Sequence, residues 1–324
     1  MHQNLEHSTK RHMKDLRLAQ ISYMYYENEI SQQDIAKKLD LSKMAVSRIL
    51  QKAREAKIIR LNIRLPYTLS QEVGKELCRR FGLKEAYAVR MSGGDGGAVS
   101  ETLGRMWAFH LGVTLCDECV LGMGVGKTVG HMVQNLTPMR TKGVHVVQLM
   151  GGLADVTYRN PFTIVQETCR KLHAEGTYFT SCAVVENEEL KDSIVYKTKM
   201  GQQVREQWDK CDMALFGVGP IETGTLRTLH MLSDEDIDRL KARGVVGDFL
   251  GHFFDGEGKF VETEFEARLV SIPLETLRNI PMKVALAGGE EKAPALVGAL
   301  KTGMIDTLVT DEVTGKRVLE LEGS

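Results

Sequence analysis

The segment Ser31-Gln-Gln-Asp-Ile-Ala-Lys-Lys-Leu-Asp-Leu-Ser-Lys-Met-Ala-Val-Ser-Arg-Ile-Leu-Gln-Lys-Ala53 has the pattern of two short helices joined by a tight turn. Ser31 is a candidate N-cap of the first helix, and Asp34 stands where the carboxylate of a capping box is expected. Asp40-Leu41 forms the turn, and Ser42 is a candidate cap of the second helix. The segment therefore predicts a helix-turn-helix, in which the second helix enters a DNA major groove.

This second helix has an apolar side and a polar side. Four apolar residues recur at the spacing of a buried helical stripe: Val46, Ile49, Leu50 and Ala53. The other side carries residue types that donate to phosphates or read base edges. The predicted DNA-binding residues are Ser42, Lys43, Ser47, Arg48, Gln51 and Lys52. An ordinary amphipathic surface helix with solvated charges is the alternative.

Length and charge predict two domains with different roles. A chain of 324 residues exceeds one typical core, and its hydrophobic content of 43% is ordinary for a globular protein. Residues 1–65 carry 13 Lys and Arg against 7 Asp and Glu, whereas the remainder carries 29 against 36. A basic head on an acidic body fits a nucleic-acid module followed by a domain that binds something else.

We place the domain boundary after residue 65. Residues 57–65 alternate apolar and polar side chains, which predicts the strand of a wing, and Pro66 ends it. Residues 1–65 are therefore predicted to form a winged helix-turn-helix domain. Residues 66–324 are predicted to form an effector-binding and oligomerisation domain.

Cysteine usage and hydropathy place the chain in a broad class. The six cysteines lack the rhythm of a metal site, since Cys116 and Cys119 form a single C-x-x-C with no second pair. We expect reduced thiols, no metal site and no cofactor. The N-terminus lacks the apolar core of a signal peptide, and no run approaches the length of a membrane span. The expectation is a cytoplasmic protein without a membrane partner.

Beyond the boundary, predicted strands and helices alternate, which favours an α/β domain with a largely parallel sheet. The predicted strands are 85–90, 119–123, 143–149, 178–185, 212–218, 269–271, 283–287 and 305–310. The main predicted helices are 127–135, 163–173, 189–207 and 292–302. Ligands of such sheets bind outside the carboxyl ends of the strands, so the loops at those ends are the candidate sites.

The loop Gly124-Val-Gly-Lys-Thr128 follows a predicted strand and opens a helix. Its glycines, Gly124 and Gly126, let the backbone approach a ligand, and the helix N-terminus offers free N–H groups. Lys127 and Thr128 add a charge and a hydroxyl, so the loop is a candidate phosphate cradle. It lacks the spacing of a P-loop, and a plain tight turn is the alternative.

Three further segments carry candidate effector contacts. The loop Gln148–Gly152 shares the same placement after a strand, and its candidates are Gln148, Gly151 and Gly152. Lys292 follows another glycine pair and either neutralises a phosphate or is a solvated surface lysine. Asp248 lies in a segment rich in glycines and aromatics, where it either accepts hydrogen bonds from sugar hydroxyls or caps a turn.

The order of these motifs resembles that of the SorC/DeoR-type family of bacterial sugar-responsive transcription regulators. The resemblance extends from about Leu16 to the end of the chain. Its motifs after the helix-turn-helix are Gly124-Val-Gly-Lys-Thr128, Val146-Val-Gln-Leu-Met-Gly-Gly152, Ala214-Leu-Phe-Gly-Val-Gly-Pro220, Gly244-Val-Val-Gly-Asp-Phe-Leu-Gly-His-Phe-Phe-Asp255 and Ala287-Gly-Gly-Glu-Glu-Lys-Ala-Pro-Ala-Leu296.

The resemblance implies a Rossmann-like effector domain with the fold of sugar-phosphate isomerases and deaminases, which binds a phosphorylated sugar, or a sugar or polyol. By position, it implies that Gly126, Lys127 and Thr128 form the phosphate loop, that Lys292 also contacts the phosphate and that Asp248 faces the sugar. It also implies homotetramers, or dimers, that act on the operator DNA of a carbohydrate-utilisation operon.

Besides a nucleotide-binding α/β protein with a chance helix-turn-helix, two classes of function remain open at this point. The first is a DNA-binding regulator controlled by a metabolite. The second is a sugar-phosphate isomerase or deaminase with an appended DNA module, which needs a general base near the sugar carbon. Asp248 or Glu266 could be that base, but the sequence offers no set of nucleophile, base and orienting residue. We therefore predict no catalytic residue and favour the regulator.

Overall fold

The computed structural model describes residues 16–28, 30–56, 58–59, 67–91, 96–152, 160–228 and 231–323. The chain divides into two units, Met1–Leu65 and Pro66–Ser324. The predicted wing over residues 57–65 lies outside the described residues except for Ile58 and Ile59, so it remains a prediction. None of the helices in these described ranges is long and apolar enough to cross a membrane.

Three helices form the described part of the first unit. They are α1 (residues 16–26), α2 (Gln32–Lys38) and α3 (Lys43–Glu55). The Asp34 N–H donates to Ser31 Oγ at 3.2 Å, and the Ala45 N–H donates to Ser42 Oγ at 3.0 Å. Both predicted caps are confirmed. The Asp34 carboxylate, however, accepts from the Ser31 hydroxyl at 2.7 Å rather than from its backbone N–H, so the expected capping box is not formed.

The apolar stripe of α3 packs into a small core, as its spacing predicts. Val46 and Ala53 are fully buried, Leu50 is nearly so, and Ile49 is half-buried. The stripe meets apolar residues of α1 and α2 in one cluster. Asp40 turns the chain between α2 and α3 with φ 52°, in the left-handed region that Asp tolerates better than most residues.

The second unit has a large sheet and a small one. The described strands are β1 (Thr68–Leu69), β2 (Glu85–Arg90), β3 (Val120–Met123), β4 (His145–Gln148), β5 (Glu175–Thr177), β6 (Met213–Phe216), β7 (Gly219–Pro220), β8 (Val245–Phe249), β9 (His252–Asp255), β10 (Met282–Leu286) and β11 (Thr307–Asp311). The large sheet has the order β1-β2-β11-β10-β6-β3-β4-β5, and only β1 pairs antiparallel. The prediction of a largely parallel sheet in an α/β domain is confirmed.

Helices cover both faces of the large sheet. They are α4 (Gln71–Phe81), α5 (Gly96–Thr114), α6 (Lys127–Asn135), α7 (Pro161–Leu172), α8 (Glu188–Asp192), α9 (Lys199–Trp208), α10 (Thr225–Thr228), α11 (Asp234–Ala242), α12 (Leu274–Asn279), α13 (Ala293–Lys301) and α14 (Glu312–Glu322). Successive residues of β6 enter opposite cores: Leu215 belongs to the cluster that includes residues of α5, α6 and α7, and Phe216 belongs to the one that includes residues of α4, α9 and α13. Central strands buried on both faces read as continuous apolar runs, which is why the sequence revealed them.

Three predicted elements are wrong. The predicted strand 178–185 is irregular and makes single bridges, and the edge strand β5 lies before it at Glu175–Thr177. Residues 269–271 also make only isolated bridges. The predicted helix 189–207 is divided by a π-helical turn at Ser193–Lys197, after which the Thr198 side chain caps α9. Short bridging segments lack the periodicity that marks a full strand, so they mislead pattern reading.

The chain order places a topological switch point between β3 and β6. From β3 the chain proceeds outward through β4 to β5, and it then returns to the other side of β3 as β6 before proceeding to β10 and β11. The connections on the two sides of this point lead away from each other. A crevice therefore opens at the carboxyl ends of β3 and β6, which is where such sheets bind ligands.

The close approach of α5 and α6 gives a test of the fold. A Cβ on Gly104 would lie 2.6 Å from the Met132 backbone nitrogen, so we expect Gly104→Ala to lower the free energy of unfolding by about 1–3 kcal/mol. A Cβ on Gly112, in the same helix, would meet nothing within 4 Å. Gly112→Ala should therefore raise the free energy of unfolding by about 0.5–1 kcal/mol. Urea denaturation of both variants measures the difference, and equal effects would contradict this packing.

Candidate functional site

The loop between β3 and α6 presents an uncapped helix N-terminus. Gly126 is the N-cap residue, with φ 144°, and no side chain caps the first turn of α6. A Cβ on Gly126 would lie 3.4 Å from Gly217 Cα, because the loop after β6 passes directly beside it. The glycine thus satisfies both the backbone angle and the close approach. The first-turn N–H groups and the positive end of the helix dipole remain available to an anion.

A cavity of 430 Å³ lies in front of this helix, where three loops meet at the carboxyl ends of adjacent strands. The loop after β3 supplies Gly126, Lys127 and Thr128. The loop after β6 supplies residues between 217 and 228, and the loop after β10 supplies Glu291 and Lys292. The structure therefore brings the predicted phosphate loop and the predicted lysine to one site.

The two lysines give this cavity a cationic end. Lys127 is exposed and Lys292 is half-buried, and neither ammonium has a carboxylate within 4.0 Å in the described part of the chain. Burial lowers the pKa of Lys292, Glu291 opposes that effect, and the charge of Lys127 lowers the pKa further. Two neighbouring ammonium groups that lack a carboxylate partner favour a bound anion between them.

The loop that carries Lys292 is held by a buried carboxylate. The Gly289 N–H donates to Asp311 Oδ2 at 3.0 Å and to Thr314 Oγ1 at 2.9 Å. The Thr314 N–H donates to Asp311 Oδ1 at 2.9 Å, so the same aspartate caps α14. Asp311 thereby joins the loop after β10 to the end of β11. It positions the loop that carries Lys292.

Asp248 borders the same cavity from the small sheet. It lies on β8, and the β8–β9 hairpin turns through Leu250 and Gly251, both at positive φ (54° and 81°). This turn directs the Gly251 N–H to Asp248 Oδ2 at 3.1 Å. Burial raises the pKa of Asp248 to about 7, although the Gly251 N–H and the charge of His252 act in the opposite direction. Near neutral pH the carboxyl group can therefore either donate to or accept from a ligand hydroxyl.

The structure does not bring four of the predicted effector contacts to the cavity. A Cβ on Gly124 would clash with Leu250 and Phe216, so this glycine serves packing. Gln148 is fully buried: its side-chain oxygen accepts from the Phe179 N–H at 3.0 Å, and its amide donates to the Met150 carbonyl.

Gly151 and Gly152 are likewise engaged within the fold. Their N–H groups donate to the carbonyls of Val270 and Ser181 at 2.8 and 2.9 Å. Their strand, β4, is one position farther from the switch point than β3. The prediction that this glycine loop borders the same site as the other two is therefore corrected.

Sequence reasoning missed the contribution of the loop after β6. Neutral polar groups from this loop line the cavity, together with Ser100 of α5: Gly217, Gly219, Thr223, Gly224 and Thr225. The available signal was Gly217-Val-Gly-Pro220 directly after an apolar strand, the same pattern that identified the β3 loop. The hydroxyl groups of Thr223, Thr225 and Ser100 suit a ligand with several hydroxyls of its own.

Glu266, the other acid considered as a base, is engaged elsewhere. His252 Nδ1 lies 2.6 Å from Glu266 Oε1, and His252 Nε2 lies 2.8 Å from the Ile272 carbonyl oxygen. Glu266 is absent from the residues that line the cavity, and Asp248 is the carboxyl group there that is buried.

The α3 helix presents its predicted DNA-binding residues to solvent. All six side chains are exposed: Ser42, Lys43, Ser47, Arg48, Gln51 and Lys52. Ser42 also caps the helix, and the Gln51 amide donates to Glu55 at 3.0 Å. The apolar back and polar front that a recognition helix requires are both present.

A helix-turn-helix with an exposed cationic face, together with a cavity at the switch point of an α/β sheet, defines a ligand-responsive DNA-binding protein. A family model for a sugar-binding domain matches residues 66–320, and one for sigma-70 region 4 matches residues 17–58. The chain belongs to the SorC/DeoR-type family of sugar-responsive transcription regulators.

Individual relatives agree with this assignment. The deoxyribonucleoside regulator of Bacillus subtilis is 29% identical over 301 residues, which cover 91% of this chain and 95% of the relative. The sorbitol operon regulator of Klebsiella pneumoniae is 30% identical over 319 residues, covering 94% and 98%. The crystal structure of full-length SorC from K. pneumoniae superposes with a TM-score of 0.72 at 28% identity, covering 94% and 99%. The prediction of a transcription regulator rather than an enzyme is confirmed.

The raised pKa of Asp248 predicts a pH-dependent stability. Because its folded pKa of about 7 exceeds the ordinary value of 3.8, its contribution to stability is present at low pH and is lost as the pH rises towards 7. Asn cannot ionise, so the stability of Asp248→Asn relative to the wild type should rise by about 1.4 kcal/mol per pH unit between about pH 5 and 7.

Denaturant unfolding at several pH values measures this slope. The exposed Asp238→Asn is the matched control, and its stability relative to the wild type should not follow that slope. A flat difference for Asp248→Asn would show that Asp248 ionises as freely as a solvated carboxyl group.

Proposed function

We propose that this protein regulates a carbohydrate-utilisation operon and that a phosphorylated sugar in the 430 Å³ cavity controls its binding to operator DNA. The observation that carries the proposal is the polarity of the cavity. Lys127, Lys292 and the N-terminus of α6 line it, and Lys127 is close enough to Lys292 to lower the pKa of that lysine. Asp248 and the threonines of the β6 loop supply titratable or neutral partners for hydroxyls.

The cationic end supports the phosphate part of the proposal. Backbone N–H groups from Lys127 and Thr128 would donate to phosphate oxygens, as helix N-termini commonly do. The ammonium group of Lys292 would add a charge-assisted hydrogen bond, and a bound phosphate would in turn raise the pKa of this half-buried lysine. A free sugar or polyol is the second candidate, because its hydroxyls would pair with Asp248. Such a ligand would leave the two lysines without an anionic partner.

We propose that the active species is a homotetramer, or a dimer. A helix-turn-helix usually binds paired half-sites about one helical turn apart, which requires at least two copies of α3. One relative is named a deoxyribonucleoside regulator and the other a sorbitol operon regulator, which supports a small polyhydroxylated metabolite as the effector here.

A thermal-shift screen with sugar phosphates, free sugars and polyols identifies the effector. A ligand at about 100 times its dissociation constant adds roughly 2.7 kcal/mol to the free energy of unfolding, which is readily detected. We expect the hits to be phosphorylated. Hits confined to unphosphorylated polyols would overturn the phosphate part of the proposal, and no hit in any class would argue against an effector of this kind.

Lys292→Ala tests the proposed phosphate contact. The variant should bind operator DNA as the wild type does and should lose about 1.5–3 kcal/mol of effector binding, the usual contribution of a hydrogen bond to a charged group. Lys142→Ala is the control, because the Lys142 side chain is 81% exposed and remote from the residues that line the cavity. Calorimetric titration with the identified effector gives both affinities, and equal values for the two variants would remove Lys292 from the site.

Two substitutions in α3 separate base reading from phosphate contact. Arg48→Ala should cost about 1–3 kcal/mol of operator binding and relax specificity at one base pair. Lys52→Ala should weaken binding uniformly across sequences and reduce the salt dependence by about one phosphate contact. Fluorescence anisotropy at several salt concentrations distinguishes them. Identical behaviour of the two variants would contradict a base-reading role for Arg48.

A further inference from the structure

Met44 is an apolar side chain on the face of α3 that meets solvent. Its side chain is 66% exposed, and it is the one large apolar residue of this helix that stands so far out of the core. The buried residues of α3 are Val46, Leu50 and Ala53, which lie on the opposite side of the helix. Met44 therefore contributes nothing to the core that holds α3 in place.

The neighbours of Met44 on this face are polar. At 100° per residue, Met44, Ser47, Arg48 and Gln51 fall on one stripe of the helix. Arg48 Nη2 lies 3.9 Å from Met44 Sδ, so the guanidinium group and the thioether lie side by side. Lys43 and Lys52 are exposed on the same helix. An apolar group surrounded by cationic and hydroxyl groups suits a negatively charged partner that carries a few apolar groups. It suits an apolar protein surface less well.

Duplex DNA presents one apolar group in its major groove, the C5-methyl group of thymine. Residues at the N-terminal end of a recognition helix contact base edges, and Met44 is the second residue of α3. Arg48 has donors that match the O6 and N7 acceptors of guanine. The Arg48 Nη2–Met44 Sδ distance of 3.9 Å is close to the 3.4 Å spacing of stacked bases, so it is compatible with contacts to neighbouring base pairs.

We infer that Met44 is a specificity-determining residue that packs on a thymine methyl group next to the base pair read by Arg48. The inference rests on the proposed function, since it requires α3 to enter the major groove. It adds a feature of the operator: each half-site contains a thymine beside a guanine. Because this contact is apolar, Met44 does not appear among the polar residues that the sequence predicts to contact DNA.

The test removes the methyl group without altering any hydrogen bond. Operator duplexes are first selected from a random library with the full-length protein, and each thymine is then replaced singly by deoxyuridine. At constant salt, we expect the wild type to lose affinity about fourfold at one thymine per half-site, which corresponds to the burial of one methyl group. Met44→Ala should bind the thymine and deoxyuridine duplexes equally well.

Two further variants serve as controls. Met44→Leu keeps an apolar side chain and should retain most of the methyl effect. Lys43→Ala should bind more weakly overall and keep the fourfold ratio, because it removes a phosphate donor rather than the apolar contact. All variants are checked for native helix content by circular dichroism, and the exposed position of Met44 makes its loss compatible with folding.

The outcomes are distinct. If the protein selects no sequence from the library, the proposed function fails and the inference fails with it. If it selects a sequence but tolerates deoxyuridine at every thymine, or if Met44→Ala keeps the methyl effect, the inference alone is overturned. A methyl effect that disappears only in the Met44→Ala variant supports it.

Discussion

The parallel pairing of β3, β6 and β10 is the constraint on which the effector unit depends. In the sheet, Gly122 of β3 lies beside Ala214 of β6, and Ala214 lies beside Lys283 of β10. This register brings the three strands to nearly the same level at their carboxyl ends, so the loops that follow them meet. The loop after β3 contributes an uncapped helix N-terminus, the loop after β6 contributes threonines, and the loop after β10 contributes a lysine. No one of the three segments could form the cavity by itself.

Glycines and buried carboxylates determine how closely these loops approach one another. Gly126 and Gly217 pack backbone against backbone, and a side chain at either position would separate the two loops. The Asp311 carboxylate accepts from two N–H groups and one hydroxyl, and it both caps α14 and holds the loop of Lys292. Asp248 accepts from one N–H group in the described residues and faces the cavity, so burial raises its pKa. The two acids therefore differ in role because their carboxyl groups accept hydrogen bonds from different numbers of donors.

The sequence revealed local features and failed where strand order decides the outcome. Lys127 and Lys292 could be chosen because each follows a glycine loop at the end of an apolar strand. The same rule chose Gly151 and Gly152, whose strand turned out to be one position farther from the switch point. Pairing order is a property of the assembled sheet, and nothing in a run of valines encodes it. Asp248 was found because an acid among glycines and aromatics is rare, although the hairpin that positions it was not recognised.

Control of DNA binding by the cavity requires a ligand that binds two states of the protein with different affinity. Phosphate contacts alone provide such a difference only if the β3 and β10 loops change their separation, because Lys127 and Lys292 come from different loops. The Gly289 N–H of the second loop donates to Asp311 and Thr314, and the Gly217 N–H donates to the Val125 carbonyl of the first loop at 3.2 Å. A change in the separation of the two loops therefore requires at least one of these hydrogen bonds to lengthen or break. A coupling of about 1–3 kcal/mol is typical of regulation, and one hydrogen bond to a charged group that forms in only one of the two states would supply it.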